Sequence, residues 1–500
     1  MRKLLYISFL FISFLSFTQE EFSAETNFTN YDSFFEDTLL SSNPVFPNLS
    51  KPEQIGFEML ERKKRGTTNS YLNLFPVADL AGSYHSGMNG VDAMNTGLGF
   101  GVSMRYTKNF YARLLLTGNY AFNDLLVTPE NTAFRPHFLS SNKGKHGIGL
   151  QPQLRLSYSP YDFINIQAGI DQNFIGQGNR SMLLGDYGAP YPFVQLRTKI
   201  WRIEVTNLYQ ILNETVGGRR INKFASTHFF NYNVTNRLQI GVFESVVFAA
   251  KDTLMNRGFD AAYLNPFLFY RPTEYGLGSQ DRLVIGLNMS YEFDPVMIYG
   301  QFVLDEFVLG ELMKRSRWWA NKYGGQIGFK TKGKLNNDIQ VKWLAELNFA
   351  RPFTYSHLDH NTVYGNQGHA LAHPMGANFA EVFSEASLQF PSKLTLKARF
   401  FFVQQGGMNG DANTSYGNNI YVPYTKKPTE YGYFIGGNGK INRFHFSVEG
   451  NYLISKRLKL EAFVRPGIEV NSLRIEPYKG FFLVYGGIRT NLWNDRSFSF

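Results

Sequence analysis

From Tyr71 onward apolar residues recur at every second position. In 148–158, Ile148, Leu150, Pro152, Leu154, Leu156 and Tyr158 alternate with Gln151, Gln153, Arg155 and Ser157. In 283–293, Leu283, Ile285, Leu287, Met289, Tyr291 and Phe293 alternate with Gly286, Asn288, Ser290 and Glu292. Leu394, Leu396, Ala398, Phe400 and Phe402 face away from Thr395, Lys397 and Arg399; Leu458, Leu460, Ala462 and Val464 oppose Lys459, Glu461 and Phe463. A period of two predicts strands with one apolar and one polar face. The runs approach the ~9–11 residues that cross a bilayer obliquely, and arginines and carboxylates recur opposite the apolar face. That pattern suits a lipid-facing exterior and a polar lumen.

The expected fold is therefore all-β, a transmembrane antiparallel barrel over 71–500. At about 23–27 residues per strand and connection it holds about 16–18 strands, an even number as such barrels require. Connections rich in Gly, Asn, Asp and Ser at 84–97, 123–145, 354–378 and 406–430 are expected to be extracellular loops, the opposite turns being short. The final aromatics Phe498 and Phe500 resemble the recognition end of bacterial outer-membrane barrels.

Before the barrel the periodicity changes. Met1, Arg2 and Lys3 followed by the apolar run 4–17 have the form of a secretory signal, assigned to 1–18, with Ser16 to Thr18 or Ser23-Ala24 as cleavage regions. The segment 19–70 opens polar and acidic, with little fixed structure expected to about Ser50. Lys51 to Arg65 then has the spacing and basic end of a short periplasmic amphipathic helix, stopped by Gly66. No later apolar run reaches ~20 residues, so a helical membrane span is excluded and only a closed sheet would serve.

Composition sharpens this picture. The chain has 47 Phe, 29 Tyr, 5 Trp and 46 Gly, which suits aromatic girdles and tightly twisted strands. With no cysteine, disulfides, thiolate metal sites and lipid anchoring through Cys are excluded. The net charge is +10, or +8 once Arg2 and Lys3 leave with the signal. Such a balance fits anionic lipid heads, lipopolysaccharide or an acidic glycan. Basic residues scattered at strand spacing in an exported chain argue against nucleic acid.

Polar and aromatic knots interrupt the strands between 175 and 322. They comprise Arg180, Asp186, Tyr191, Asp260, Asn265, Arg271, Glu274, Asp305, Glu306, Trp318, Trp319 and Asn321. Hydrogen-bonding groups beside flat rings suit a sugar, whose hydroxyls take polar partners and whose C–H face stacks on Trp or Tyr. The same mixture suits ion pairs bracing a wide barrel, because buried charges must be paired. Arg180 and Arg271 are expected within reach of Asp186, Asp260, Glu274, Asp305 or Glu306.

Other chemistry is weaker. Gly176 and Gly178 lack the third glycine of a dinucleotide fingerprint and read as a turn or inward kink. His357, His360, His369 and His373 with Asp359 are metal-ligand types without a closed-site spacing, so no metal or other cofactor is expected. Ser181, Ser226 and Ser356, with His228 or His357, have hydrolase residue types but no nucleophile elbow.

One resemblance is specific as a set. Ile175-Gly176, Gly178, Arg180-Ser181, Leu183-Leu184 and Pro190-Tyr191-Pro192 resemble the gliding-motility RemB family of outer-membrane proteins. So do Arg257-Gly258-Phe259-Asp260, Tyr263-Leu264-Asn265-Pro266, Phe269-Tyr270-Arg271-Pro272 and Leu304-Asp305-Glu306-Phe307. Trp318-Trp319-Ala320-Asn321-Lys322, Arg351 to His357 and Ala372 to Asn378 extend it over about 75–500. More loosely the arrangement is similar to the capsule-assembly Wzi-type barrel. The resemblance implies a non-enzymatic barrel in the outer membrane of a Gram-negative bacterium that binds or organises surface polysaccharide. It also implies gliding motility as an output and a gliding or export machinery as partner, and it assigns no residue roles. A porin-like diffusion channel is the alternative, and a lipid-modifying barrel enzyme the third reading. A lumen filled by the knots favours the first, an open bore the second, and a Ser-His pair on the lipid-facing wall the third.

Overall fold

A computed structural model describes residues 44–46, 57–64, 67–85, 91–107, 109–123, 139–143, 146–216, 219–250, 258–265, 281–336, 338–411, 413–472 and 479–490. Eighteen antiparallel strands, from Thr67–His85 to Lys479–Thr490, close into a barrel. The last strand pairs with the first, Leu483 opposite His85 and Arg489 opposite Asp79, so the wall has no free edge. Closure removes the unpaired backbone groups that a sheet edge would expose to lipid.

The alternation read from the sequence decides which side chain faces where. Outward Ile148 and Ile327 are 64% and 61% exposed, while inward Arg155, Gln167, Asn165 and Asn348 have no solvent contact. This inverts a soluble protein and is what a hydrocarbon environment requires. The inward charges are paired across the lumen wall. Arg113 and Arg155 both reach Asp171, at 2.7 and 2.8 Å. Arg489 reaches Glu461 at 2.6 Å and Glu449 at 2.7 Å, and Arg399 reaches Glu385 at 2.7 Å. Unpaired, each buried charge would cost several kcal/mol, on the order of 3–5 when one partner is removed.

The two ends differ. At one, turns such as 200–203, 293–296 and 335–339 connect strands within a few residues. At the other lie the long connections 172–190, 307–321, 351–378 and 406–440, together with the described residues 258–265.

Several sequence expectations change. The strand Phe57–Lys64 occupies most of the stretch read as a short helix, pairing with residues 67–74 of the first barrel strand; residues 51–56 lie outside the described ones. Period-two pairing with a neighbouring strand overrides the weak helical spacing there. The signal assignment at 1–18 also lies outside the described residues. Residues 44–46, expected to lack fixed structure, pair with the inward loop: Val45 opposes Ile175 and Phe46 opposes Phe174. The proposed 84–97 loop is mostly strand, since Val91–Thr107 begins within it, and Leu139–Lys143 is a strand inside the proposed 123–145 loop.

Candidate functional site

Three of the long connections turn into or over the bore instead of away from it. The first, 172–190, runs from Asp171 at the end of one strand to Tyr191 at the start of the next. Gly178 lets it press on the wall, because a Cβ there would overlap the Glu346 carboxylate. Met182, Leu183 and Leu184 at its tip are wholly buried. They share one apolar cluster with inward residues of nine wall strands, among them Phe193, Leu208, Phe229, Val247, Val303 and Phe401.

Polar wall residues secure this plug by its backbone. Glu346 accepts from the amides of Asn179 and Arg180, the latter at 3.3 Å, and from the Tyr299 hydroxyl at 2.8 Å. The Gln301 side chain accepts from the Met182 amide at 2.7 Å and donates to the Ile175 carbonyl at 3.0 Å. Gln326 donates to the Arg180 carbonyl at 2.8 Å. A backbone segment buried away from water needs such partners for its amides and carbonyls.

The second connection, 351–378, lies on the first. The Tyr355 hydroxyl donates to the Met182 carbonyl at 2.7 Å and that of Tyr364 to the Leu183 carbonyl at 2.8 Å, their rings stacked at 5.8 Å. The Gly185 amide donates to the Leu371 carbonyl at 2.7 Å. His373, fully buried, stacks on Phe379 at 4.3 Å and lies 2.8 Å from Glu381. The third connection, 406–440, covers the second. Gly417, at φ 74°, accepts from the Phe353 amide at 2.9 Å, and the Tyr421 hydroxyl donates to Glu214 at 2.8 Å.

The predicted residues separate into three places. Arg180, Asp186 and Tyr191 are buried in or beside the plug. Arg180 stands 3.9 Å from Glu381 and 5.2 Å over the Phe383 ring, so a carboxylate outside the predicted partners neutralises it. Asp305, Glu306, Trp318, Trp319 and Asn321 meet at the mouth. Asp305 pairs with Arg282 and accepts from the Tyr355 amide at 3.0 Å; Glu306 reaches Lys322 at 3.2 Å. Asn321 accepts from the Val308 amide at 2.8 Å. Trp319 donates from its indole to Glu430 at 2.6 Å and packs on Tyr424 at 4.7 Å and edge-on to Trp318 at 6.2 Å. Lys427 and Lys322 sit 4.3 and 5.0 Å from the Trp319 ring centre. Asp260 and Asn265 lie apart, flanking the short 3-10 turn Ala261–Leu264, where Asp260 caps the Ala262 amide at 3.0 Å. Arg271 and Glu274 lie outside the described residues.

The loop histidines are dispersed. His357 contacts Thr362 at 2.5 Å, His369 meets Tyr187 edge-on at 5.8 Å, and His373 is bound to Glu381. Among the described residues no three His, Cys, Asp or Glu are arranged to hold a metal. Burial, then the nearby Arg282 and Lys322 cations, push His357 down to about 3; burial brings His369 down to about 4. Burial also lowers His373, with Glu381 opposing. The candidate nucleophiles donate to backbone carbonyls: Ser181 to Ile175, Ser356 to Phe353 and Ser226 to Tyr263, at 2.5, 2.7 and 2.7 Å.

Sequence reading missed the plug's anchors, Glu346, Glu381, Gln301, Arg282 and Tyr299. The signal was present: the period-two register of 339–350 turns Glu346 and Asn348 to the same inward face.

The sequence matches no protein-family model and no curated protein. Solved structures share its shape. A Wzi outer-membrane protein of Escherichia coli, described as involved in group 1 capsule assembly and as a carbohydrate-binding β-barrel, superposes with a TM-score of 0.54. Identity is 11%, covering 83% of this chain and 84% of that one. The outer-membrane protein OprD of Pseudomonas aeruginosa gives 0.42 at 11% identity over 85% and 95%, and Acinetobacter baumannii OccAB1 gives 0.43 at 8% over 84% and 96%. The chain thus has the fold of an outer-membrane barrel.

Proposed function

We propose that this protein is a non-enzymatic outer-membrane barrel that holds or organises surface polysaccharide at its long-loop mouth, with gliding motility as an output. The observation that carries the reading is the filled lumen. Three connections stack in or over the bore, and Met182, Leu183 and Leu184 of the first and Tyr355 and Tyr364 of the second have no solvent contact, which suits a scaffold better than a diffusion channel. Short turns at one end and long connections at the other orient the mouth toward the exterior, as in barrels of this kind.

The mouth offers chemistry for a charged glycan. Trp318 and Tyr431 present ring surface, Tyr431 being 53% exposed. Lys427, partly exposed beside Trp319, supplies positive charge for uronate or phosphate groups, while Lys322 is buried against Glu306 and steadies the ring from beneath. The Trp319 ring itself is enclosed by lysines and Tyr424, so its part is to hold these groups in place. Fold similarity to a barrel described as carbohydrate-binding adds support. The test compares cell-bound with shed polysaccharide in wild type, a deletion strain and a Trp318→Ala/Lys427→Ala/Tyr431→Ala strain. Increased shedding with unchanged synthesis is expected in both mutants. An unchanged ratio in the deletion strain, with reduced uptake of small solutes, refutes the proposal in favour of a channel.

A further inference from the structure

The connection 307–321 carries a surface that neither the plug nor the mouth uses. It leaves the strand Val296–Glu306 and forms the short helix Leu309–Met313, none of whose residues is buried. Phe307, Val308, Leu309, Leu312 and Met313 are 39, 45, 59, 36 and 75% exposed. An element in water buries its apolar side chains against its own protein, and this one does not. Three cations follow at once, Lys314, Arg315 and Arg317, all exposed, against the single carboxylate Glu311, which Lys314 reaches at 2.9 Å.

Two observations identify what covers this patch. It continues the outward apolar belt of its own strands, where Ile298, Phe302 and Ile327 are 40, 42 and 61% exposed and Phe302 meets Tyr323 at 6.2 Å. Aromatic side chains border it on the other side: Arg317 lies 5.1 Å over the ring of Phe434, itself 47% exposed, and the Tyr433 amide donates to the Arg317 carbonyl at 3.0 Å. Apolar side chains continuous with a lipid-facing belt and edged by rings and cations have the make-up of an interfacial membrane element. Guanidinium and ammonium groups placed there bind phosphate oxygens.

We propose that residues 307–317 dock into the leaflet at the long-loop end, with Phe307 to Met313 among acyl chains and Lys314, Arg315 and Arg317 on lipid phosphates. The anchor would hold the mouth level with the membrane surface. It rests on the outer-membrane reading, and its test separates the two.

The chain has no cysteine, so single nitroxide labels are clean. Labels are placed at Met313→Cys, at Ile327→Cys on the wall and at Asp411→Cys on an exposed loop at the same end, in the full barrel. Each is reconstituted in phosphatidylcholine vesicles with and without lipid A. Collision with oxygen and with a water-soluble nickel chelate reports depth. The 313 label is expected to match the wall label, oxygen-accessible with nickel accessibility lost, and to differ from the 411 label. Lys314→Gln/Arg315→Gln/Arg317→Gln is expected to raise nickel accessibility at 313 in the lipid A vesicles.

A wall label open to nickel would overturn the membrane reading itself. A wall label in lipid with the 313 label in water would overturn only the docking. An immobilised but lipid-free 313 label would assign the patch to a second protein chain, against the proposal. Equal depth before and after charge removal would overturn the phosphate contacts.

Discussion

Replacing Glu346 by Ala tests whether the plug is held by the wall. The Glu346 carboxylate accepts from two plug amides, those of Asn179 and Arg180, and from Tyr299. The buried Arg180 guanidinium itself stands 3.9 Å from Glu381. A buried donor left without an acceptor costs about 1–3 kcal/mol. Two stranded amides at about 2 kcal/mol each give about 4 kcal/mol, and each 1.4 kcal/mol changes an equilibrium about tenfold. The undocked fraction of the plug should therefore rise by about three powers of ten, while the wall, whose ladder is untouched, stays closed. Glu346→Gln keeps one acceptor oxygen and should fall between the two. Conductance of single barrels in planar bilayers is the assay, with heat-modifiable migration showing that each variant is folded. Wild type should stay closed, Glu346→Ala should flicker open, and Glu346→Gln should open rarely. A folded Glu346→Ala barrel as closed as wild type would refute the anchoring role, and steady conductance of wild type would refute the plug itself.

Tyr364→Phe removes the hydroxyl that donates to the Leu183 carbonyl at 2.8 Å and should weaken plug docking by about 0.5–1.5 kcal/mol, read as faster amide exchange in 172–190. Arg155→Ala leaves Asp171 with Arg113 alone of its two arginines and strips Gln167 and Asn173 of a donor, and should lower barrel stability by about 1–3 kcal/mol in urea titration; no measurable change would show that water takes over these contacts. Acid should loosen the inward connections. His357 and His369 take up protons only near 3 and 4 when docked but near about 6.5 when undocked. Docking is therefore fully stabilised above about pH 6.5 and weakens as pH falls from there toward 4. Protease cleavage within 351–378 should accelerate between pH 7 and 4.5, less so in His357→Gln/His369→Gln, and a flat profile would contradict the burial of these rings.

The chain's local pattern determined the wall. A period of two, kept through segments such as 283–293, sends Leu287 and Met289 outward and Asn288 and Ser290 inward, and among the described residues no helix is long and apolar enough to cross a membrane. Those facts require closure, because lipid satisfies no backbone hydrogen bonds, and at about 23–27 residues per strand and connection they bracket the count at about 16–18 strands. What the pattern did not carry was the direction of the connections. Polar, glycine-rich loops read alike whether they meet water or fill a bore, so 354–378 and 406–430 were expected only as extracellular loops; they lie at the long-loop end, with 354–378 folded onto the plug and 406–430 over 354–378. The difference comes from partners distant in sequence: Glu346 holds Asn179, Tyr364 holds Leu183, and Phe353 holds Gly417. The knots were likewise legible as chemistry but not as geometry. Arg180 required a carboxylate, and only the closed barrel brought Glu381 to it; Trp319 had the make-up of a sugar platform, and only the folded mouth set Lys322 and Lys427 against its ring. Alternation is a property of neighbours along one strand, whereas a plug is defined by which of eighteen strands its tip meets, and that is fixed when the sheet closes.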